Sequence, residues 1–291
     1  MKFERDFWVL GGDMRQAHLA QLLALDGHTV HTYALEEGMA AAPAAEEEHT
    51  LNKLSSAHCV ILPLPVTSAP GTLSTPLSKA SHPLDPLLDH LSPAQIICGG
   101  RVDPALREQL TRRGLTIHDY FSREELTIAN AIPTAEGAIQ IAMEELPITI
   151  HGARVLVIGF GRVGKLTAQR FAALGAQVSV AARSWEQLAW AKAFGFHTEH
   201  TDQLSDCLSL CDLIVNTVPA KMLTRAKLTG LRPDALVIDL ASRPGGVDME
   251  AATDLGCRVV WALSLPGKVA PVTAGACIRD AVYHILREAQ S

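Results

Sequence analysis

"ARVLVIGFGRVGKLTAQRFAALGAQVSVAARS", residues 153–184, decides the fold. It opens on an apolar run, Val155 to Ile158, of the kind that makes a strand covered on both faces. Gly159-x-Gly161-x-x-Gly164 follows at once, then a helix-forming stretch, then Gly175 and a second apolar run. In this strand–turn–helix–strand frame each glycine has its own duty. The first permits the tight turn, the second lets backbone approach a pyrophosphate, and the third lets helix and strand pack closely. The helix N-terminus adds a field that favours the anion. The stretch therefore predicts a dinucleotide site on the turn formed by Gly159, Phe160, Gly161, Arg162, Val163 and Gly164.

The second strand lacks the acidic residue that commonly holds a ribose 2′-hydroxyl about 20 residues beyond the glycines. That position falls on Ala182, with Arg183 and Ser184 after it. A carboxylate would repel a 2′-phosphate, whereas Arg183 can fork onto one and Ser184 can donate a hydrogen bond to it. The expected cofactor is NADP(H). The alternative is that Arg183 only stacks on the adenine, and NAD(H) is accepted as well.

The same grammar occurs near the N-terminus, in "FWVLGGDMRQAHLAQLLALDGHTVHTY", residues 7–33. Gly11 and Gly27 are 16 residues apart, as are Gly159 and Gly175, and Val30 and Val178 each follow three residues later. Gln16 stands where the third glycine would be. Two nucleotide-binding-like halves thus share one chain, and only the second has the complete turn. The predicted fold class is α/β, with two doubly wound parallel-sheet domains. The first, residues 1–129, is a substrate domain. A bridging helix spans 130–147, starting after Pro133. The cofactor domain follows at 148–270, and a C-terminal amphipathic helix, 271–291, returns toward the first domain. Residues 67–93 read as a Pro/Ser-rich loop with one short helix, the acidic run in 35–50 as a solvated surface, and "FHTEHTD", 196–202, as an exposed loop.

Composition limits the partners. The chain has 291 residues, 48% of them hydrophobic and 19% charged, with a net charge of −6. An acidic balance argues against nucleic acid and anionic membranes. No apolar run approaches the length of a membrane span, and the N-terminus lacks the apolar core of a signal peptide, so a cytoplasmic protein is expected. Six cysteines without a C-x-x-C pair read as reduced thiols, and no metal site is expected.

In parallel sheets ligands bind beyond the carboxyl ends of the strands. The segments expected there include "NTVP" (216–219), "ASRPGG" (241–246), "SLPGKVAPVTAG" (264–275) and "NAIPTAEG" (130–137). Asn216, Thr217, Val218 and Pro219 are predicted to line the nicotinamide ribose. Thr134 is a candidate substrate contact whose plainer reading is a helix cap. Arg15, Arg101, Arg243 and Lys268 all follow strands, and four cations around a cofactor cleft suit a small carboxylated substrate. Lys268 is the first candidate for a catalytic base and Glu136 the second.

The two-domain layout resembles the D-2-hydroxyacid dehydrogenase and adenosylhomocysteinase group. Arg243 in "IDLASRPGGVD" takes the place of that group's substrate-orienting Arg, but Lys268 in "GKVAPVT" stands where its catalytic His would be. A closer resemblance rests on "GGDMRQ", "LPLPVT", "NAIPTAEGAIQIAMEELPITIHG", "GFGRVG", "AARS", "VNTVPA", "IDLASRPGGVD" and "LSLPGKVAPVTAG". These look like the A subunits of bacterial dipicolinate synthases, over nearly the whole chain except 34–57. The resemblance implies NADP-dependent oxidation of a dihydrodipicolinate to pyridine-2,6-dicarboxylate in the mother cell of a sporulating bacterium. It also implies a partner, the flavoprotein-like B subunit, and hence an oligomer. Two rival readings are a dehydrogenase of another 2-oxo or 2-hydroxy acid, and a non-catalytic NADPH-binding subunit.

Overall fold

The computed structural model describes residues 4–290, so the extreme ends of the predicted domain ranges, 1–3 and 291, lie outside the described residues. The chain folds into two compact units, Met1–Asn130 with Ala270–Ser291, and Ala131–Val269.

The first unit runs β1 (Asp6–Leu10), α1 (Met14–Leu25), β2 (Thr29–Tyr33), β3 (Glu46–Glu48), β4 (Cys59–Ile61), β5 (Thr67–Ala69), β6 (Thr72–Leu73), α2 (Leu84–Leu88), β7 (Ile96–Gly99), α3 (Pro104–Arg112), β8 (Ile117–Asp119), and the first part of α4 (Glu124–Glu145). Its sheet is parallel, in the order β3-β2-β1-β4-β7-β8. Along β1 the side chains alternate between two cores. Phe7 and Val9 join one, and Trp8 and Leu10 join the other. This is the period-two signature of a strand covered on both faces.

The second unit holds the rest of α4, then β9 (Arg154–Ile158), α5 (Arg162–Ala173), β10 (Gln177–Ala182), α6 (Trp185–Ala193), β11 (His197–His200), α7 (Leu204–Leu208), β12 (Leu213–Asn216), α8 (Arg225–Leu228), β13 (Leu236–Asp239), α9 (Met249–Asp254), β14 (Arg258–Trp261) and α10 (Leu265–Val269). Its parallel sheet has the order β11-β10-β9-β12-β13-β14. Both sheets thus have the 3-2-1-4-5-6 order of the doubly wound dinucleotide-binding fold.

Three local expectations are corrected. Pro133 lies inside α4 and does not start it. The buried stripe Leu126, Ala131, Ala135, Ala138 and Ala142 runs straight past it, and packing of that stripe outweighs the backbone bond that a proline cannot donate. Thr134 is therefore mid-helix, not a cap. The 196–202 segment is no loop. His197–His200 forms an edge strand beside β10, because parallel pairing, not hydrophobicity, recruits it. Glu46–Glu48 of the acidic run pairs beside β2 in the same way, with Glu46 and Glu47 exposed as a solvated surface should be. Residues 67–73 also fold into an antiparallel hairpin.

α11 (Pro271–Glu288) belongs to the first unit, where Ile278, Ala281, Val282 and Ile285 enter the core with Leu19, Ala20 and Leu23 of α1. Its Glu288 accepts from the Arg123 guanidinium at 2.8 and 2.7 Å. The two helices touch at Gly275, where a Cβ would meet the Arg15 carbonyl oxygen at 2.8 Å and Leu19 N at 3.1 Å. Gly275→Val should destabilise the first unit by about 1–3 kcal/mol through overpacking. Denaturant unfolding, followed by a probe in that unit, measures the loss.

Candidate functional site

Parallel pairing places the carboxyl ends of all six strands of the second unit on one edge of its sheet. Along that edge come His200 at the end of β11, Arg183 after β10, the 159–164 turn after β9, residues 216–219 from the end of β12, Arg243 after β13 and Lys268 after β14. The candidate cofactor residues and the candidate catalytic cations thus line one sheet edge in spatial order.

The turn is built by close approach. Gly159 has φ +95°, its N–H donates to Ala181 O at 2.7 Å, and a Cβ there would lie 2.4 Å from Thr217 Oγ1. Gly164 presses α5 so tightly on the turn that a Cβ would meet Gly159 O at 2.1 Å. Gly161 is different. It caps α5 with φ −78°, a value open to any residue, and no atom lies within 4 Å of its Cβ position. Neither conformation nor internal packing requires glycine there. The open space is where a pyrophosphate would meet the N–H groups of α5, so the cradle fits a dinucleotide.

Around the cradle the predicted residues take distinct places. Phe160 turns its ring into the core beside Phe194 and Phe196, leaving its backbone to serve the site. Arg162 is exposed at the start of α5, and Val163 is half-buried. Ala182 is buried at the end of β10, and Arg183 is exposed. Ser184 caps α6, accepting from Gln187 N at 3.5 Å, which leaves its hydroxyl proton to donate. The Arg183 carbonyl bonds His200 Nε2 at 3.0 Å. A carbonyl only accepts, so Nε2 carries the proton. The His200 ring stacks on Trp185, 5.1 Å away, whose indole is 75% exposed. Trp185 and His200 were missed from sequence. A Trp directly after "AARS" was the available signal.

Asn216 and Asp239 form the second device. Both are buried. Asn216 Nδ2 donates to Asp239 Oδ1 at 2.7 Å and to Val218 O at 3.0 Å, and its Oδ1 accepts from Val218 N at 3.2 Å. Asp239 also accepts from Ala241 N at 3.1 Å and from Gly246 N at 2.7 Å. These bonds clamp both ends of the 241–246 loop and set the path of 216–219. Thr217 Oγ1 donates to Ile158 O, and Pro219 is exposed. Sequence reading missed Asp239, although an acid ending the apolar run "LVID" signals a buried acceptor with a job. Trp261 Nε1 donates to Ala241 O, and the exposed Arg243 guanidinium lies 5.6 Å above its ring. Lys268 is exposed in the last turn of α10. Thr134 is half-buried in α4, and the exposed Glu136 faces Arg170 at 3.6 Å.

The first unit's counterpart turn is self-filled. Gln16 is buried against Gly12, where a Cβ would meet its Oε1 at 2.6 Å, and its Nε2 donates to Tyr120 Oη at 3.3 Å. Burial raises the Tyr120 pKa, which keeps the phenol protonated to donate to Leu62 O. Gly12 N donates to Ser74 O. Arg15 is buried, with Nε and Nη2 committed to the Asp13 carboxylate and Nη2 also to Leu64 O. Arg101 is exposed on left-handed backbone, φ +55°, held by its N–H on Asp119.

Comparisons with known proteins agree with this layout. Residues 6–121 match the family model of the dipicolinate synthase A-subunit N-terminal domain. Residues 127–254 match "D-isomer specific 2-hydroxyacid dehydrogenase, NAD binding domain". The dipicolinate synthase A subunit of Bacillus subtilis (strain 168) is 35% identical over 290 residues, covering 97% of this chain and 96% of that one. Among solved structures, the dipicolinate synthase A subunit from Bacillus halodurans is 30% identical, covers 97% of each chain and gives a TM-score of 0.89. The crystal structure of its counterpart from Bacillus subtilis is 32% identical, covers 100% of this chain and 98% of its own, and gives 0.88. No described helix is long and apolar enough to cross a membrane.

The open face of Gly161 separates ligand binding from folding. Gly161→Val should cost no more than about 1 kcal/mol of stability, through a poorer helix cap. It should raise the Kd for the nicotinamide cofactor roughly tenfold or more by putting methyl groups in the cradle. Thermal unfolding and fluorescence titration measure the two effects on the same sample.

Proposed function

The chain belongs to the family of dipicolinate synthase A subunits, and from that membership we propose that it oxidises a dihydrodipicolinate to pyridine-2,6-dicarboxylate with NADP⁺, during bacterial sporulation and in partnership with a B subunit. An NAD(P)-dependent oxidoreductase is the class that its domains define. The observation that carries the reading is Gly161, a glycine without conformational or packing cause in the chain, facing open space at a helix N-terminus.

When bound, the nicotinamide supplies the hydride acceptor. The chain's own residues do the rest. Arg183, with the Ser184 hydroxyl, holds a 2′-phosphate where an acid would repel it. Trp185, fixed on one face by His200, offers its other face to the adenine. Backbone N–H groups of the 159–164 turn hold the pyrophosphate, and 216–219 line the ribose. Arg243, presented by the loop that Asp239 clamps, forks onto a substrate carboxylate. Lys268, as the neutral amine, accepts the proton that aromatisation releases from the ring or its nitrogen. Glu136 is the weaker candidate for that base, because Arg170 faces it.

Arg183→Ala should raise the Kd for NADPH by roughly tenfold or more, since a charge-assisted fork is lost, and leave that for NADH nearly unchanged. Equal effects on both would assign Arg183 to the adenine instead. Lys268→Met should lower kcat by roughly a hundredfold or more if Lys268 is the base, with cofactor affinity retained. The activity itself is tested by assaying the purified chain on dihydrodipicolinate with NADP⁺, with and without the B subunit. Turnover of lactate-like acids and none of dihydrodipicolinate under either condition would replace the reading.

A further inference from the structure

On the β1-β2-β3 side of the first unit's sheet, one imidazole faces three carboxylates. His31 of β2 and Glu46 of β3 are partners in the parallel register, and Glu48 lies two residues on, on the same face. His31 Nδ1 is 3.4 Å from Glu46 Oε2 and 3.2 Å from Glu48 Oε1, and the three ligand atoms all lie within 4.8 Å of one another. On the other side of the ring, Nε2 is 3.7 Å from Asp6 Oδ1 of β1. The Trp8 ring stacks on the imidazole at 5.1 Å and fixes its plane.

Acidic residues near a histidine are common, so the decisive observation is the histidine. His31 is only 8% exposed, and its Nδ1 is a buried atom with no hydrogen-bond partner, although it points between the two Glu carboxylates. Asp6 Oδ1 is buried and unbonded too. Contact distance without hydrogen-bond geometry leaves a costly polar pair unless something sits between them. Among the described Lys and Arg residues, only Lys53 pairs with any of these carboxylates. It reaches Glu48 Oε1 at 3.0 Å from a side chain that is 68% exposed.

We propose that His31, Glu46 and Glu48 form a zinc site, with Asp6 orienting the imidazole from its far side. Tetrahedral zinc with bonds near 2.0–2.1 Å holds its ligands about 3.3–3.4 Å apart, close to the spacing His31 Nδ1 has to both Glu oxygens. An imidazole ligand favours zinc over calcium or magnesium. The carboxylate–histidine–metal relay through Nε2 sets the tautomer that frees Nδ1 to ligate. Three protein ligands leave a fourth position for water. Glu46 is 67% exposed, so the ion has a way in. The ion would tie the short edge strand β3 to β2, and Lys53 would give up a surface contact of small worth.

The test is calorimetric titration of the chelator-treated full chain with zinc chloride. The expected result is one zinc per chain, with a rise in the thermal midpoint as zinc is added. His31→Ala and the double substitution Glu46→Gln, Glu48→Gln should each abolish both effects. Asp6→Asn should weaken binding by roughly 10–100-fold. Because His31 is packed between strands, the Gln variants serve as the fold-preserving control, and circular dichroism checks them. Cobalt substituted for zinc should show the intense visible bands of tetrahedral coordination in the wild type and not in the Gln variants. Zinc binding of equal affinity in wild type and Gln variants, or no binding by folded wild type, overturns the site.

Discussion

A carbonyl oxygen stands where residue 164 would otherwise carry a side chain. The helix α5 comes down on the Gly159–Gly161 turn so closely that only hydrogen fits between them. Everything at the cofactor edge follows from that contact. It aims the first N–H groups of α5 into the opening above Gly161. It brings Thr217, whose hydroxyl is bonded to Ile158 O, against Gly159, and so ties the turn after β9 to the turn after β12. From there Asn216 reaches Asp239, and Asp239 holds the loop that presents Arg243. A single close approach and a chain of buried hydrogen bonds thus carry position from the phosphate cradle to the guanidinium. Buried polar networks of this kind hold their geometry because breaking any one bond leaves the rest unsatisfied in a low-dielectric interior.

What could be read from sequence was whatever local chemistry fixes. The spacing of Gly159, Gly161 and Gly164 fixes a turn. The apolar runs at 155–158, 213–215 and 236–238 fix strands covered on both faces. The absence of an acid at Ala182 bears on the ribose. Tertiary pairing was illegible. Glu46–Glu48 and His197–His200 are polar, and they are strands only because β2 and β10 offer them free edges. Pro133 marked a helix start by local rule, and a buried stripe overrode it. Asp239 was legible as an odd acid on an apolar strand, but its three donors come from 216, 241 and 246, and no spacing rule links them. The His31–Glu46–Glu48 cluster is hidden for the same reason. Its members become neighbours only through strand register.

The two halves of the chain show how one topology can part ways in chemistry. Both sheets have the same strand order, and both first helices follow a glycine turn. In the second unit the third glycine keeps the cradle open. In the first, Gln16 occupies that position, folds over Gly12 and bonds Tyr120, and Ser74 O accepts from the N–H of Gly12. Arg15 beside it is drawn onto Asp13 and Leu64 O. The change is small in sequence, but it converts a ligand-binding turn into a packed one.

That self-filled turn makes the two units answer differently to their surroundings. A turn filled by its own glutamine, with the Gly12 N–H already on a neighbouring carbonyl, leaves no such opening at its centre. A cradle left open is stabilised by whatever binds it, in proportion to the logarithm of ligand over dissociation constant. The first unit's cradle is therefore as firm as its own sequence makes it. The second unit's resistance to heat and proteolysis rises with the nicotinamide cofactor its cradle takes up, so the supply of that cofactor is itself one of the terms that hold the fold.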